Sequence, residues 1–359
     1  MTAHDATTTG DRMTQSTAPT VPVLESHRFD VAALERYMRE HVRGFRPPIE
    51  VSQFLGGQSN PTYHLRTGDA EYVLRRKPPG KLLPSAHAVD REYRVMTALG
   101  DTGVPVPRTF ALCEDPEVLG TAFFIMEYVP GRILSDPLMP ELTASERGAL
   151  WDSMNDVLAH LHLVDWRAVG LEGFGRPGNY FARQIHRWTR QWQASKTREI
   201  PAMERLIEWL PANVPEGDET RVVHGDFRLG NLMLDAREPR VIALLDWELS
   251  TLGHPLADLA YNCLVWHATP AMYGGIEGLD LAATGIPPEA AYVARYCERA
   301  GRADGVTAFH LAFAMFRMAV IFEGIAQRAR IGTAAGADAE QVGRLSIDYA
   351  ERALALIDG

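Results

Sequence analysis

The segment VVHGDFRLGN at residues 222–231 decides the interpretation of this chain, together with the shorter segment LDWE at residues 245–248. Apolar residues precede the charged ones in both segments, which predicts two short strands, 221–223 and 241–245, that each lead into a polar loop. Asp226 and Asn231 follow the first strand, and Asp246 ends the second. We therefore expect these three side chains to enter the same cleft.

Together, these side chains have the chemistry that phosphoryl transfer requires. In such sites an aspartate (here Asp226) accepts the proton of the attacking hydroxyl, and an asparagine amide oxygen (Asn231) holds magnesium. A further aspartate (Asp246) coordinates the magnesium that bridges the ATP phosphates, and oxygen ligands suit this hard cation. Taken singly, His-Gly-Asp fits a tight turn and Asp246 fits an ordinary strand end. Their order, spacing and strand–loop context favour catalysis.

Both segments resemble the aminoglycoside phosphotransferase-like family of small-molecule kinases, which are relatives of the protein kinases. The shared motif is His-Gly-Asp-x-x-x-x-Asn followed by a triplet such as Asp-Trp-Glu. The segments GHP at 253–255 and DLA at 258–260 resemble a further motif that supports the catalytic loop. Residues 72–87, YVLRRKPPGKLLPSAH, are similar to the branch whose kinase domains are fused to acyl-CoA dehydrogenases.

The order of predicted elements gives the fold class. Strand-like segments fill the first third of the 359 residues, and helical segments, including 181–210, dominate the rest. Such a layout fits two lobes with a ligand cleft between them. The resemblance implies an α+β, protein-kinase-like fold with a small β-rich N-lobe and a large helical C-lobe. We place a flexible tail at 1–28, the N-lobe at 29–131 and the C-lobe at 132–359.

A glycine-rich segment of the N-lobe is the predicted phosphate loop. Gly56, Gly57, Ser59 and Asn60 lie between two predicted strands, where flexible backbone amides can close over the phosphates of ATP. An ordinary hairpin turn is the alternative, since Gly-Gly is common in turns.

The resemblance also implies a cation on the third strand of this lobe that holds the ATP phosphates. Side chains alternate along a strand, so Val73, Arg75 and Lys77 share one face, and we assign the role to Arg75. Arginine keeps the positive charge of the lysine that kinases carry there, with a different geometry. Glu92, on the next helix, is expected to pair with Arg75. A solvated basic edge and a solvated helix face are the alternatives.

Two further assignments concern the ends of the nucleotide. The resemblance implies that adenine is bound by the connection between the lobes, through the Glu127 carbonyl and the Val129 amide. Arg228 lies two residues after Asp226, where protein kinases carry a lysine that contacts the transferred phosphate. Its guanidinium would neutralise charge that develops on the γ-phosphate.

The composition of the chain argues against some classes of binding partner. A formal net charge of −10 would repel nucleic acid and anionic membrane surfaces, so we expect neither as a partner. The N-terminal residues lack the apolar core of a signal peptide, and Arg317 interrupts the apolar run at 311–322. Cys113, Cys263 and Cys297 are widely spaced, which predicts reduced thiols in a cytoplasmic protein.

The phosphate acceptor is predicted to be a small molecule with a hydroxyl group. The resemblance offers aminoglycosides, amino alcohols such as choline or homoserine, and hydroxyacyl-CoA or hydroxy acids. A polycationic aminoglycoside would need an acidic wall, whereas the region after Asp258 contains several arginines and no acidic run. This favours an anionic acceptor, a hydroxyacyl-CoA or a hydroxy acid. Arg317 and Glu323 could reach the substrate cleft, and we interpret them as structural.

A catalytically weak, nucleotide-binding regulatory protein is the alternative from another class. Arginine in place of the expected lysine supports it, and the presence of Asp226, Asn231 and Asp246 opposes it. The oligomeric state is not predicted.

Overall fold

The computed structural model describes residues 19–55, 60–80, 87–272, 274–332 and 339–359. A β-sheet lobe is followed by a helical lobe, which confirms the predicted α+β, protein-kinase-like fold. The predicted phosphate-loop residues Gly56, Gly57 and Ser59 lie outside the described ranges.

The N-lobe is built on one antiparallel sheet. Its strands are β1 (Thr20–Val21), β2 (Glu50–Phe54), β3 (Thr62–Arg66), β4 (Glu71–Arg76), β5 (Thr109–Cys113) and β6 (Phe123–Glu127). Its helices are α1 (Val31–His41), α2 (Val89–Leu99) and the short α3 (Pro116–Leu119). The six strands are ordered β1-β2-β3-β4-β6-β5, so β4 lies inside the sheet, between β3 and β6. The prediction of a flexible tail up to residue 28 needs a correction, because Thr20 and Val21 pair with β2 and belong to the N-lobe sheet.

Side-chain alternation in β4 determines which residues face the cleft. Leu74 packs into the core that α1 covers, whereas Val73 packs into the core that α2 covers. Arg75 therefore points to the α2 side, and Arg76 points to the other side, where it donates hydrogen bonds to Thr121 and Leu119. The alternation thus separates a cleft-facing arginine from a structural one.

The C-lobe is mostly helical. Its helices are α4 (Ala144–Leu163), α5 (Tyr180–Ser195), α6 (Pro201–Ala212), α7 (Pro255–Cys263), α8 (Glu289–Ala300), α9 (Ala308–Arg330) and α10 (Ala339–Asp358). Its short strands are β7 (Arg221–Val223), β8 (Leu232–Leu234), β9 (Val241–Leu244) and β10 (Thr251–Gly253). Antiparallel pairing joins β7 to β10 and β8 to β9. The helical prediction for 181–210 needs one correction, because residues 196–200 separate two helices there.

The apolar helix α9 runs through the centre of the C-lobe. It is long and apolar enough to cross a membrane, but 83% of its most apolar window is buried inside the fold. It packs against α5, α7 and α10. Glu323 in this helix accepts hydrogen bonds from Thr197 and Ser346, in agreement with the structural role predicted for it.

Candidate active site

Two short antiparallel strand pairs, β7 with β10 and β8 with β9, position Asp226, Asn231 and Asp246. The loop that carries Asp226 connects β7 to β8 and ends in a 3₁₀ turn at Leu229–Asn231. Asp246 follows β9 directly, and the Leu245 amide donates to the Asn231 carbonyl at 2.9 Å. The pairing of β8 with β9 therefore brings Asn231, at the start of β8, next to Asp246, which follows the end of β9.

Asp226 accepts hydrogen bonds on both carboxylate oxygens. Its Oδ1 accepts from the Tyr261 hydroxyl at 2.5 Å, and its Oδ2 accepts from the Asn231 amide nitrogen at 2.7 Å. Arg228 Nε lies 3.4 Å from Oδ2. Burial, followed by the charge of Asp226, raises the pKa of Tyr261 well above its ordinary value. Tyr261 therefore remains a proton donor that orients the Asp226 carboxylate.

A buried carboxylate holds the backbone of the loop that carries Asp226. Asp258 in α7 accepts from the amides of His224 and Gly225, at 2.5 and 2.8 Å. Burial would raise the pKa of Asp258, but the hydrogen bond from His162, together with the other contacts, keeps it below the ordinary value. Asp258 is thus ionised, which strengthens its bonds to the two amides. This geometry agrees with the supporting role that the resemblance implied.

Gly225 is required by the tight path of this loop. Its φ is +83°, in the left-handed region, and a Cβ there would lie 2.6 Å from the Leu249 carbonyl oxygen. Only glycine meets both conditions without strain.

His224 links the two halves of the site. Its Nδ1 accepts from the Asp226 amide at 3.1 Å, so the proton is on Nε2, which donates to the Leu245 carbonyl at 2.9 Å. The imidazole also packs on Trp247, with ring centroids 4.8 Å apart. His224 therefore sets the position of Asp246 relative to Asp226.

Arg75 reaches across the cleft to Asp246, whose backbone is in the left-handed region at φ +66°. Arg75 Nη2 lies 2.6 Å from Asp246 Oδ1, and its Nε lies 2.9 Å from Glu92 Oε2. The predicted pairing of Arg75 with Glu92 is present. The Asn60 amide donates to Glu92 at 3.0 Å, so the Asn60 side chain is turned into the N-lobe.

The electrostatics of this cluster follow from its burial. The pKa of Glu92 is raised to about 7, chiefly by burial; Arg75 opposes this shift, and the charges of Asp246 and Glu248 contribute to it. Burial would lower the pKa of Arg75, but the three carboxylates raise it overall. Arg75 thus remains a cation among acidic groups.

A cleft of about 230 Å³ lies between the lobes, in front of Arg75. Apolar side chains form much of its wall, and at one end Arg75, Asn231 and Asp246 supply polar groups. The predicted adenine-binding residues Glu127 and Val129 also line it. Such a pocket, apolar with a few convergent polar groups, is typical of nucleotide and other small-molecule sites.

Two residues beside Asp226 were not assigned to the site from sequence. Tyr261 lies three residues after Asp258 on α7, and that spacing places both on one face of a helix, which is a usable signal. Arg317 donates a hydrogen bond from Nη2 to the Gly225 carbonyl, although a structural role was predicted. A buried charge within an otherwise apolar stretch of α9 was the signal for Arg317.

Comparisons with known proteins identify the relatives of this chain. The profile of the Phosphotransferase enzyme family matches residues 50–306. The chain is 45% identical to acyl-CoA dehydrogenase family member 10 of Mus musculus over 342 residues, or 93% of this chain and 32% of that protein. It therefore spans about a third of the length of this curated relative.

Solved structures are also similar to this chain. A Ralstonia eutropha protein provisionally named an aminoglycoside phosphotransferase is 50% identical, with a TM-score of 0.86, and the match covers 92% of this chain and 99% of that one. A thermostable mutant of aminoglycoside phosphotransferase APH(4)-Ia, in ternary complex with AMP-PNP and hygromycin B, is 18% identical with a TM-score of 0.60. That match covers 91% of this chain and 99% of the other, and it supports the fold alone. Because the family profile covers most of the chain, the chain belongs to the Phosphotransferase enzyme family.

Proposed function

We propose that this protein is a magnesium-dependent kinase that moves the γ-phosphate of ATP to a hydroxyl group of a small molecule. One observation carries the proposal. Asn231 and Asp246 line the polar end of an otherwise largely apolar interlobe cleft, and Asn231 also contacts the Asp226 carboxylate. This arrangement supports the assignment of Asp226 as the base, beside the proposed position of the γ-phosphate.

The cleft has a part for each end of ATP. The adenine is assigned to the apolar end, with the Glu127 carbonyl and the Val129 amide as hydrogen-bond partners. Arg75 is assigned to the phosphates, and Glu92 holds its guanidinium in place. Gly56, Gly57, Ser59 and Asn60 are assigned to the loop over the phosphates. The Asn60 side chain donates to Glu92, the residue that pairs with Arg75.

Asn231 and Asp246 fit a magnesium site. Both supply oxygen atoms, and the Asn231 amide nitrogen is directed at Asp226, which leaves the amide oxygen as its ligand atom. Magnesium is usually held by one or two carboxylates together with substrate phosphates. When bound, it would neutralise charge on the ATP phosphates.

In the proposed reaction, Asp226 orients the acceptor hydroxyl and takes its proton. The hydroxyl oxygen forms a bond to the γ-phosphorus, and the bond to the β,γ-bridging oxygen breaks, so that ADP leaves with the electron pair. Arg228 lies against Asp226 and would offset the charge on the transferred group. Positioning and charge neutralisation supply most of the catalysis.

For the acceptor, we propose a hydroxyacyl-CoA or a related hydroxy acid. The name of the relative from Mus musculus, an acyl-CoA dehydrogenase family member, supports acyl-CoA chemistry. The name of the Ralstonia eutropha protein supports an aminoglycoside, and an amino alcohol is a further candidate. The proposed location is the cytoplasm, where free thiols such as Cys113 and Cys263 stay reduced.

The test is an acceptor screen. The protein is incubated with ATP, magnesium and a panel of hydroxyacyl-CoAs, hydroxy acids, amino alcohols and aminoglycosides, and mass spectrometry identifies any compound that gains a phosphate. We expect Asp226→Asn to lower kcat by about 10²–10⁴-fold. The matched control Asp101→Asn removes an exposed aspartate outside the cleft and should be fully active.

Two outcomes would contradict the proposal. Full turnover by Asp226→Asn would remove the base from the mechanism. ATP binding without transfer to any member of the panel would favour a nucleotide-binding regulatory protein.

A further inference from the structure

A second cavity, of about 520 Å³, lies beside the catalytic loop, between α5, α9 and the segment around Ser250. Its lining includes three arginines, Arg91, Arg187 and Arg317, and the Gly225 backbone of the catalytic loop. We call this cavity the arginine chamber. It is distinct from the apolar cleft assigned to ATP, because the two have no lining residue in common.

Arg317 is the deepest of these arginines. It is only 8% exposed, and its guanidinium carbon lies 5.5 Å from the ring centroid of Trp188 and 5.2 Å from that of Tyr261. Nη2 donates to the Gly225 carbonyl, whereas Nε is buried without a hydrogen-bond partner in the described part of the chain. Within those ranges Arg317 also forms no ion pair. A buried charge without a counter-ion is costly, so this residue is typical of a site that a ligand completes.

The other two arginines face the same space from different elements. The Arg187 guanidinium lies 5.5 Å from the Trp188 ring centroid, so Arg187 and Arg317 converge on one aromatic ring. Arg91 donates to the Ser250 carbonyl at 3.3 Å and lies over Phe174. Among the described lining residues, Glu248 carries the one carboxylate. Its Oε2 lies 3.8 Å from Arg75 Nη2, which belongs to the cleft assigned to ATP. The chamber is therefore positive overall.

The chamber lies next to the proposed base. Arg317 contacts both Gly225, the residue before Asp226, and the ring of Tyr261, whose hydroxyl is bonded to Asp226. A small molecule with its hydroxyl at Asp226 therefore has room to place another of its groups in the chamber. Guanidinium groups bind carboxylates and phosphates through paired hydrogen bonds.

We propose that the arginine chamber is the anion-binding part of the acceptor site, and that Arg317 and Arg187 select acceptors that carry a carboxylate or a phosphate group. This inference rests on the proposed kinase function and deepens it. The sequence argument for an anionic acceptor rested on the arginines after Asp258 as a group, and the structure identifies which residues would bind the anion. Trp188 would hold the two guanidinium groups in place by stacking. The aromatic wall also fits a short carbon chain between the hydroxyl and the anion.

The test compares matched probes that differ in charge. Titration calorimetry, with magnesium and AMP-PNP present so that no turnover occurs, measures binding of 3-hydroxybutanoate, the neutral 3-hydroxybutanamide, and 3-hydroxybutanoyl-CoA. The first pair tests a carboxylate, and the third probe tests the phosphates of coenzyme A. We expect the wild type to bind at least one anionic probe about 10-fold more tightly than the amide, the effect of one charge-assisted hydrogen bond.

Variants assign the preference to residues. Arg187→Gln, which leaves the catalytic loop untouched, should lower the preference for the anionic probe by about 10-fold, and Arg317→Lys should retain more of it than Arg317→Gln. The control Arg190→Gln removes an exposed arginine of the same helix that is not part of the chamber lining, and should leave the preference unchanged. The AMP-PNP affinity of each variant reports whether the fold and the ATP cleft are intact.

The outcomes separate this inference from the proposed function. Equal binding of the anionic and neutral probes by the wild type, or an unchanged preference in both Arg187→Gln and Arg317→Gln, would overturn the inference even if phosphate transfer occurs. An arginine-dependent preference in a protein that transfers no phosphate would support the chamber as an anion site and contradict the kinase proposal instead.

Discussion

Arg75 has two partners that would compete with its assigned role in holding ATP. Its guanidinium is bonded to Glu92 and to Asp246, and it is 11% exposed. Nucleotide phosphates would therefore replace or share the contact with Asp246, which would free that carboxylate for magnesium. Glu92 keeps the guanidinium in position during this exchange.

This arrangement predicts a loss of nucleotide affinity in Arg75→Met. Removing a charge-assisted contact to the phosphates should raise the Kd of magnesium-bound AMP-PNP by about 10- to 100-fold, measured by titration calorimetry. The control is Lys77→Met, which removes the cation that directly follows β4. This cation lies 3.7 Å from Asp90 and does not line the cleft. Equal affinities of wild type and Arg75→Met would show that another group holds the phosphates.

Arg228 leads to a prediction about rate instead of affinity. If its guanidinium offsets charge that develops on the transferred phosphate, Arg228→Ala should lower kcat by about 10²–10³-fold, as the loss of other charge-stabilising donors does. The KM for ATP should change little. Steady-state kinetics distinguish the two effects, and a pure rise in KM would assign Arg228 to ground-state binding.

Local patterns in the sequence indicate the motif residues of the candidate site, but they do not indicate its through-space contacts. Asp226, Asn231 and Asp246 follow from spacing, and Arg75 follows from strand alternation. Tyr261 and Arg317 come from helices that reach the loop only after the C-lobe has packed, so no local spacing connects them to Asp226. Their roles depend on helix packing, which a single sequence specifies only indirectly.

At the scale of elements, two histidines make helix ends sensitive to acid. His254 is the N-cap of α7 and accepts from the Leu256 amide at 3.3 Å, and His310 lies in the first turn of α9, where it bonds to Thr307. The pKa of each histidine is lowered to about 4. Burial is the largest cause, and the positive charge of nearby Arg302 contributes to both shifts.

We therefore expect a loss of stability as the pH falls from about 6.5 to about 4. The unfolded chain takes up these protons near pH 6.5 and the folded chain only near pH 4, so over this range unfolding is favoured by proton uptake. His254→Asn keeps a capping side chain and does not titrate. Its melting temperature should fall less between pH 7 and pH 5 than that of the wild type or of the exposed control His160→Asn. Parallel losses in all three proteins would contradict the assignment.

Helix and strand boundaries show where local patterns were sufficient. The helix at Val31–His41 begins at a local signal, because the Asp30 carboxylate caps it by accepting from the amides of Ala32 and Ala33. The break at 196–200 was missed, although Pro201 suits the first turn of a helix better than its interior. Apolar periodicity continues across the break, so the pattern alone does not locate it.

At the scale of the whole molecule, overall charge does not describe the site. The net charge of −10 argues against nucleic acid as a partner, yet the arginine chamber is a positive region beside the catalytic loop. The two lobes meet where Arg75 contacts Asp246, so the proposed phosphate site includes groups from both. Catalysis should therefore require both lobes in their present arrangement.

A crystal structure of the wild-type protein with AMP-PNP and magnesium would test the central claim most directly. We predict density for the nucleotide in the cleft in front of Arg75, magnesium bound by the Asn231 amide oxygen and the Asp246 carboxylate, and the γ-phosphate directed toward Asp226. A nucleotide bound elsewhere, or a metal held without Asn231 and Asp246, would contradict the account.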